Sequence, residues 1–288
     1  MKKKNIIFFG ILGIVVVLIF GMLGLIYFEI KRATVTEPSY VETSEDGSFS
    51  SAFIQTSHSY LKNDNYMVSP YSVEIALSML REGAKEESLE ELNTVVPERS
   101  IKTLKVKDKV NVANAIFIKD IFKDDMKTEY MDALHDKYGA EVIYDPFKSP
   151  QKINDWAKKE TNGMIPKILP SIDPDFVLGV GNAVAMEEEW KVAFECERTR
   201  EYSFTKKDGT TFNTSMMFQT FEEGASYYKD EDVKAVILPY TSYNRNSGKK
   251  DEKGEQLDYI GILPSDIDSY VNDFSLDDMK KIVKIVKW

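Results

Sequence analysis

The sequence predicts an α+β domain, with helices packed on β-sheets, carried behind a transmembrane helix. Three observations support this. Ile6 to Phe28 is an uncharged run of 23 residues, rich in Ile, Val, Leu and Phe. Ser-Pro pairs and glycines bracket stretches with helical apolar spacing on either side of the middle of the chain. Between them lie apolar or alternating runs bounded by turn residues, which read as strands.

At 1.5 Å per residue the Ile6–Phe28 run extends roughly 34 Å as a helix, enough for a hydrocarbon core of about 30 Å. It is longer than the apolar region of a cleaved signal peptide. Its exit, Tyr27-Phe28-Glu29-Ile30-Lys31-Arg32, offers no small-x-small cleavage site. A retained signal-anchor is therefore expected, and secretion is the outcome if the segment is cleaved. Lys2, Lys3 and Lys4 outnumber Lys31 and Arg32, which puts residues 1–32 down as a cytoplasmic basic end plus anchor. The rest of a single-pass protein then lies outside the cytoplasm. Residues 33–50, rich in Thr, Glu and Ser, read as a linker, and 51–288 as one domain.

Within that domain Ser69-Pro70 opens the first helix, the hydroxyl as cap and the proline in the first turn. Val73, Ala76, Leu77 and Leu80 are expected to form an inward stripe, with Ile75 and Met79 widening the apolar surface and Gly83 as the stop. A short helix from Lys85 to about Asn93 turns Leu89 and Leu92 inward. Met126, Tyr130, Leu134 and Tyr138 recur every four residues and predict a third helix, ending at Gly139 and leaving His135 off the stripe. Ser149-Pro150 repeats the capping device before Ile153, Trp156 and Ala157, and Asn162-Gly163 closes that helix. Trp156 is thus expected to anchor a helix face rather than a ligand.

Strands are expected at Val110–Ile118, Phe176–Met186, Glu201–Phe204, Thr211–Met217, Val233–Leu238 and Leu257–Leu263. Asp208-Gly209 forms the hairpin turn between the third and fourth, since both residues tolerate positive φ. Ser275 caps a last helix whose apolar face is Met279, Ile282, Val283 and Val286. That helix stops at Trp288 with no cap, which suggests an interrupted domain, although a docked C-terminal helix gives the same pattern.

Composition narrows the function. The chain carries a net charge of −10, and the basic excess of residues 1–32 leaves the remainder more acidic still. Such a domain lacks the basic footprint that nucleic acid requires. One cysteine, Cys196, excludes a disulfide framework and is tolerable outside the cytoplasm if buried. His58 and His135 are the only histidines, and neither adjoins a nucleophile elbow. Glu187, Glu188 and Glu189 are consecutive, so on an extended chain they alternate faces and do not converge on a metal. Gly179-Val180-Gly181 lacks the spacing of a phosphate loop. No catalytic centre, metal site or cofactor is expected, and the chain is not read as an enzyme.

Several segments, in order, resemble the serpin (serine protease inhibitor) family. They are Ser69-Pro70-Tyr71-Ser72 through Gly83-Ala84, Val112-Ala113-Asn114-Ala115-Ile116-Phe117, and Ile153-Asn154-Asp155-Trp156 with Thr161-Asn162-Gly163 and Ile165. Asn182-Ala183 with Trp190 and Phe194 follows, then Val236–Tyr240 and Ile260–Pro264. The resemblance implies a serpin-like fold with a large sheet A. Ser69, Ser72 and Asn182 would form its polar shutter, and Trp190 would mark the breach where an inserting loop enters. Asn154, Trp156, Thr161 and Gly163 would support the helix that crosses the sheet.

It also implies a mechanism. A serine protease is acylated by an exposed loop, and the cut loop inserts into sheet A as a new strand, distorting the enzyme before deacylation. The resemblance places that loop, and a reactive bond of unknown identity, beyond Trp288, so the fold is expected to be incomplete at the C-terminus and these 288 residues non-inhibitory. The stretch between Asn93 and Val110 is short for the family, and Glu187-Glu188-Glu189 replaces a more basic, glycine-containing turn. The expected partners are a serine protease, if the domain is complete, and a bilayer through residues 6–28. The alternative is a membrane-tethered, non-inhibitory binding or structural domain on the same scaffold.

Overall fold

A computed structural model describes residues 48–96, 110–221, 225–241, 243–244, 249–250 and 257–286. The proposed anchor and the linker up to residue 47 lie outside these residues. Among the described residues no helix is long and apolar enough to cross a membrane. The chain divides into two compact units at Met186/Glu187.

The first unit is organised around β1 (Val110–Lys119). Ala115, Ile116, Phe117 and Ile118 are all fully buried, because both faces of this central strand are covered. β2 (Glu141–Asp145) pairs parallel to it, and β3 (Leu178–Met186) pairs antiparallel on the other side, with Asn114 opposite Asn182. The order is β2-β1-β3, so among the described residues β3 has a free edge.

Strand alternation sends Ala115, Phe117 and Ala183 to one face, where they pack with Ile153, Trp156 and Ala157. These three belong to α5 (Gln151–Glu160). Ile116, Ile118, Leu178 and Val180 go to the opposite face, beneath Ile75, Ala76, Met79 and Leu134. Those come from α2 (Pro70–Arg81) and α4 (Thr128–Tyr138). α1 (Ser48–Leu61), α3 (Glu87–Val95) and a 3-10 turn (Asp120–Asp125) complete the unit.

Four details depart from the sequence reading. α1 begins at Ser48, inside the stretch read as linker. The buried face of α2 centres on Ile75, Ala76 and Met79, while Val73 and Leu77 are half-buried. A helix apolar around much of its circumference does not fix its inward stripe by periodicity alone. Gly83 does not end α2 with a left-handed turn. It admits the ring of Tyr130, whose Cε2 lies 3.0 Å from where a Cβ would sit. Ser149 does not supply the N-cap of α5; Pro150 occupies that position, and Ser149 Oγ accepts a long 3.4 Å bond from the Gln151 amide.

α4 ends as expected, with Gly139 at φ +59° and His135 exposed. Tyr138 donates to Glu82 Oε1 at 3.1 Å, and Lys137 bonds the other carboxylate oxygen at 2.8 Å. Burial, reinforced by the Glu82 charge, pushes the Tyr138 phenol from 10.0 up to about 12, and the same causes raise Tyr130. Both phenols therefore keep their protons longer folded than unfolded. Their contribution is fully present below pH 10 and is lost as the pH rises through about 12. Denaturation midpoints between pH 9 and 12 are expected to fall from about pH 10 upward, less steeply in Tyr138→Phe.

In the second unit β4 (Arg200–Thr205) and β5 (Thr211–Met216) form the expected hairpin, with Gly209 at φ +80°. β6 (Ser226–Lys229), β7 (Val233–Pro239) and β10 (Asp258–Pro264) form a sheet in the order β10-β7-β6. β8 (Tyr243–Asn244) and β9 (Lys249–Lys250) are a minimal pair. α6 (Ile267–Asn272) is capped by Asp266. α7 (Leu276–Val286) starts at Ser275, whose hydroxyl accepts from the Asp278 amide at 3.2 Å. Cys196 is exposed rather than buried, because it opens a 3-10 turn at the surface.

Candidate functional site

The polar residues of interest lie where α2 meets β3. Ser69 has extended backbone angles and caps α2, accepting from the Ser72 amide at 3.3 Å. The two hydroxyls bond each other at 2.8 Å. A serine one turn into a helix competes with the backbone for hydrogen bonds; here the cap hydroxyl satisfies it.

Asn182 shares strand parity with Leu178 and Val180 and so points to the face covered by α2 and α4. Its Nδ2 donates to Asn114 Oδ1 at 2.7 Å, and Asn114 Nδ2 donates to the Tyr138 carbonyl, also at 2.7 Å. Asn182 Oδ1 is buried and accepts no hydrogen bond among the described residues. Among the described residues no hydrogen bond joins the serine pair to Asn182. The structure thus puts the three predicted residues in two hydrogen-bonded pairs within one layer, and adds Asn114. In the sequence Asn114 shows only as the polar residue in the otherwise apolar Val112–Ile118 run; the register of β1 and β3 is what sets it opposite Asn182.

On the other face, Trp156 stacks edge-on against Phe117, with centroids 5.4 Å apart at 84°. Gly181 of β3 lies under both rings. A Cβ there would be 3.0 Å from Phe117 and 3.2 Å from Trp156, so α5 lies against the backbone of the sheet. Asn154, also buried, donates to the Leu169 carbonyl and accepts from the amides of Ile168 and Leu169, each at 2.9 Å. Thr161 Oγ1 donates to the Ala157 carbonyl at 2.7 Å and accepts from the Ile165 amide at 3.0 Å.

Asn162 and Gly163, at φ 51° and 82°, close α5. The Gly163 amide reaches the Lys158 carbonyl and the Asn162 amide that of Lys159, the paired bonds of a Schellman end. Asn154, Thr161 and Gly163 together fasten the segment that follows the helix back along it.

Trp190 is in the second unit. Its backbone bridges Tyr240, with Lys191 N bonded to the Pro239 carbonyl and Thr241 N to that of Glu189. Its ring stacks on Tyr240 at 4.7 Å and meets Tyr259 and Phe194 edge-on. Burial raises the Tyr240 phenol, with smaller contributions from Tyr259 and Glu188. Glu187 and Glu189 are exposed and Glu188 is half-buried, the alternation of an extended chain. Among the described residues no three acids, histidines or cysteines gather as a metal site.

What the first unit offers is a mixed sheet whose outer strands, β2 and β3, each leave an edge unpaired among the described residues, an asparagine pair joining β3 to β1, and helices on both faces. Backbone amides and carbonyls along a free edge accept a further strand.

Known proteins give a consistent context. The family model described as Serpin (serine protease inhibitor) matches residues 44–285. An uncharacterized serpin-like protein of Thermococcus kodakarensis is 28% identical over 225 residues, covering 71% of this chain and 49% of its own. Mouse glia-derived nexin is 30% identical over 189 residues, covering 57% of this chain and 46% of its own. The chain thus spans about half the length of these relatives. The latent-state structure of the thermophilic serpin tengpin superposes with a TM-score of 0.64 at 25% identity, covering 83% of this chain and 67% of that one. Native protease nexin-1, solved with heparin, shares the fold with a TM-score of 0.65 at 24% identity, covering 83% and 69%.

Proposed function

Because the chain belongs to the serpin family, we propose that it forms the strand-accepting part of a serine protease inhibitor, held outside the cytoplasm by an anchor at Ile6–Phe28. The family is one of protease inhibitors and not of enzymes, so no catalytic residue is assigned. The observation that carries the reading is the edge of β3 that is free among the described residues, on the side away from β1, with Asn182 of that strand bonded to Asn114. Insertion of a cleaved loop at that edge adds a row of backbone hydrogen bonds and buries the strand's inward side chains.

Ser69, Ser72, Asn114 and Asn182 act as the shutter. Hydroxyls and amides can exchange partners as strands move, whereas apolar side chains offer no alternative bonds. Trp190 is assigned to the breach, and Asn154, Trp156, Thr161 and Gly163 to positioning the crossing helix. A kinetically held native state supplies the free energy that distorts the trapped protease.

The 288 residues alone are expected to yield no covalent complex with trypsin-like, chymotrypsin-like or elastase-like proteases in denaturing gels. A protein extended with a donor strand is expected to yield one. A stable acyl complex with residues 1–288 alone refutes the division of roles. Reversible binding of the extended protein, without cleavage, favours a non-inhibitory binding domain.

A further inference from the structure

The β4–β5 hairpin has two unlike faces. Its register sets Tyr202 opposite Thr214 and Phe204 opposite Phe212, with Glu201, Ser203 and Thr205 opposite Ser215, Asn213 and Thr211. Residues directly opposite share a face, so one side presents three aromatic rings and the other only polar and charged groups. Tyr202, Phe204 and Phe212 are 50%, 47% and 45% exposed. Phe204 and Phe212 lie 5.6 Å apart, and Tyr202 leans on Phe218 at 4.8 Å. A two-stranded hairpin is marginal without cover, and an apolar patch rimmed by polar groups marks a contact surface.

Charge and chain length select the occupant. Arg200 opens β4, and Lys206 sits over the Phe212 ring at 5.4 Å, so cations border the rings. Glu201 lies on the opposite face, and the Asp208 carboxylate is turned back onto Thr210. Aromatic rings with a cationic border suit the boundary between acyl chains and anionic headgroups. Residues 29–47 separate the apolar run from α1. Extended, these 19 residues reach roughly 60 Å, long enough for the folded chain that follows to lie beside the membrane.

We infer that the Tyr202–Phe204–Phe212 face of the hairpin docks on the surface of the bilayer that holds Ile6–Phe28, with Arg200 and Lys206 against anionic headgroups. This rests on the anchor reading above and extends it: the domain does not swing freely on its tether but lies with one hairpin face in the interface.

Cys196 is the chain's one cysteine, so Cys196→Ser provides a background for a single environment-sensitive label. The full chain is reconstituted in phosphatidylcholine–phosphatidylglycerol vesicles, with or without brominated acyl chains, carrying NBD at Phe204→Cys or at Asn213→Cys on the polar face. The label at 204 is expected to shift to the blue and lose most of its emission to brominated lipid, while that at 213 stays aqueous and unquenched. A Tyr202→Cys label must behave like that at 204; disagreement overturns the docking. If the chain survives an alkaline wash but 204 is unquenched, the anchor stands and the docking falls, leaving a protein surface as the cover. If the wash releases the chain, the anchor reading falls and the docking with it.

Discussion

Trp156→Ala is expected to lower the unfolding free energy by about 3–5 kcal/mol, the usual cost of emptying a large aromatic site in a core. The ring is buried, edge-on to Phe117, and rests on Gly181, so its removal opens a cavity against strand backbone that cannot easily collapse. Chemical denaturation followed by far-UV circular dichroism measures the loss. Trp156→Phe should recover more than half of it, since Phe retains an edge-on contact. A change below about 1 kcal/mol for the alanine variant would mean that α5 is held to the sheet by something other than this ring.

The second large effect is expected at Asn114. Asn114→Ala removes the acceptor of the Asn182 amide and the donor to the Tyr138 carbonyl, stranding one half-buried group on each side. Two orphaned partners put the cost at about 2–4 kcal/mol. Asn182→Ala should cost less, because its Oδ1 already lacks a partner. In a double-mutant cycle the two alanine substitutions should couple by about 0.5–3 kcal/mol. Simple additivity would show that the asparagines do not act as a pair, and the shutter assignment would lose its centre.

Much of this architecture is legible in the residues because it depends on local backbone chemistry. Ser69-Pro70, Gly139, Asn162-Gly163 and Asp208-Gly209 each fix a cap or turn through a short-range hydrogen bond or a positive φ. The Met126–Tyr138 stripe is legible because one face of α4 is apolar and the other charged. What escaped depends on distant partners. β2, Glu-Val-Ile-Tyr-Asp, is short and mixed in polarity, and is a strand because β1 offers it an edge. α1 mixes serines with aromatics and has no clean apolar stripe, so its helicity rests on packing.

Of the candidate site, the serine pair was legible as a cap. The role of Asn114 was not, since it appears only when residue 114 is set opposite residue 182. Trp190 was legible as an aromatic anchor, but its stacking partner Tyr240 lies fifty positions away. Long-range aromatic pairs leave no periodic trace.

The pairing of β1 has a consequence for biosynthesis. Ala115–Ile118 needs cover on both faces, yet β1 pairs antiparallel with a strand that begins at Leu178. That partner is roughly 60–75 positions downstream, so at 5–20 residues per second a ribosome delivers it about 3–15 s later. During that interval the most deeply buried strand of the unit has emerged without its antiparallel neighbour. A chaperone that shields Val110–Lys119 until Met186 has emerged would therefore set the yield of folded protein, whatever the stability of the finished molecule.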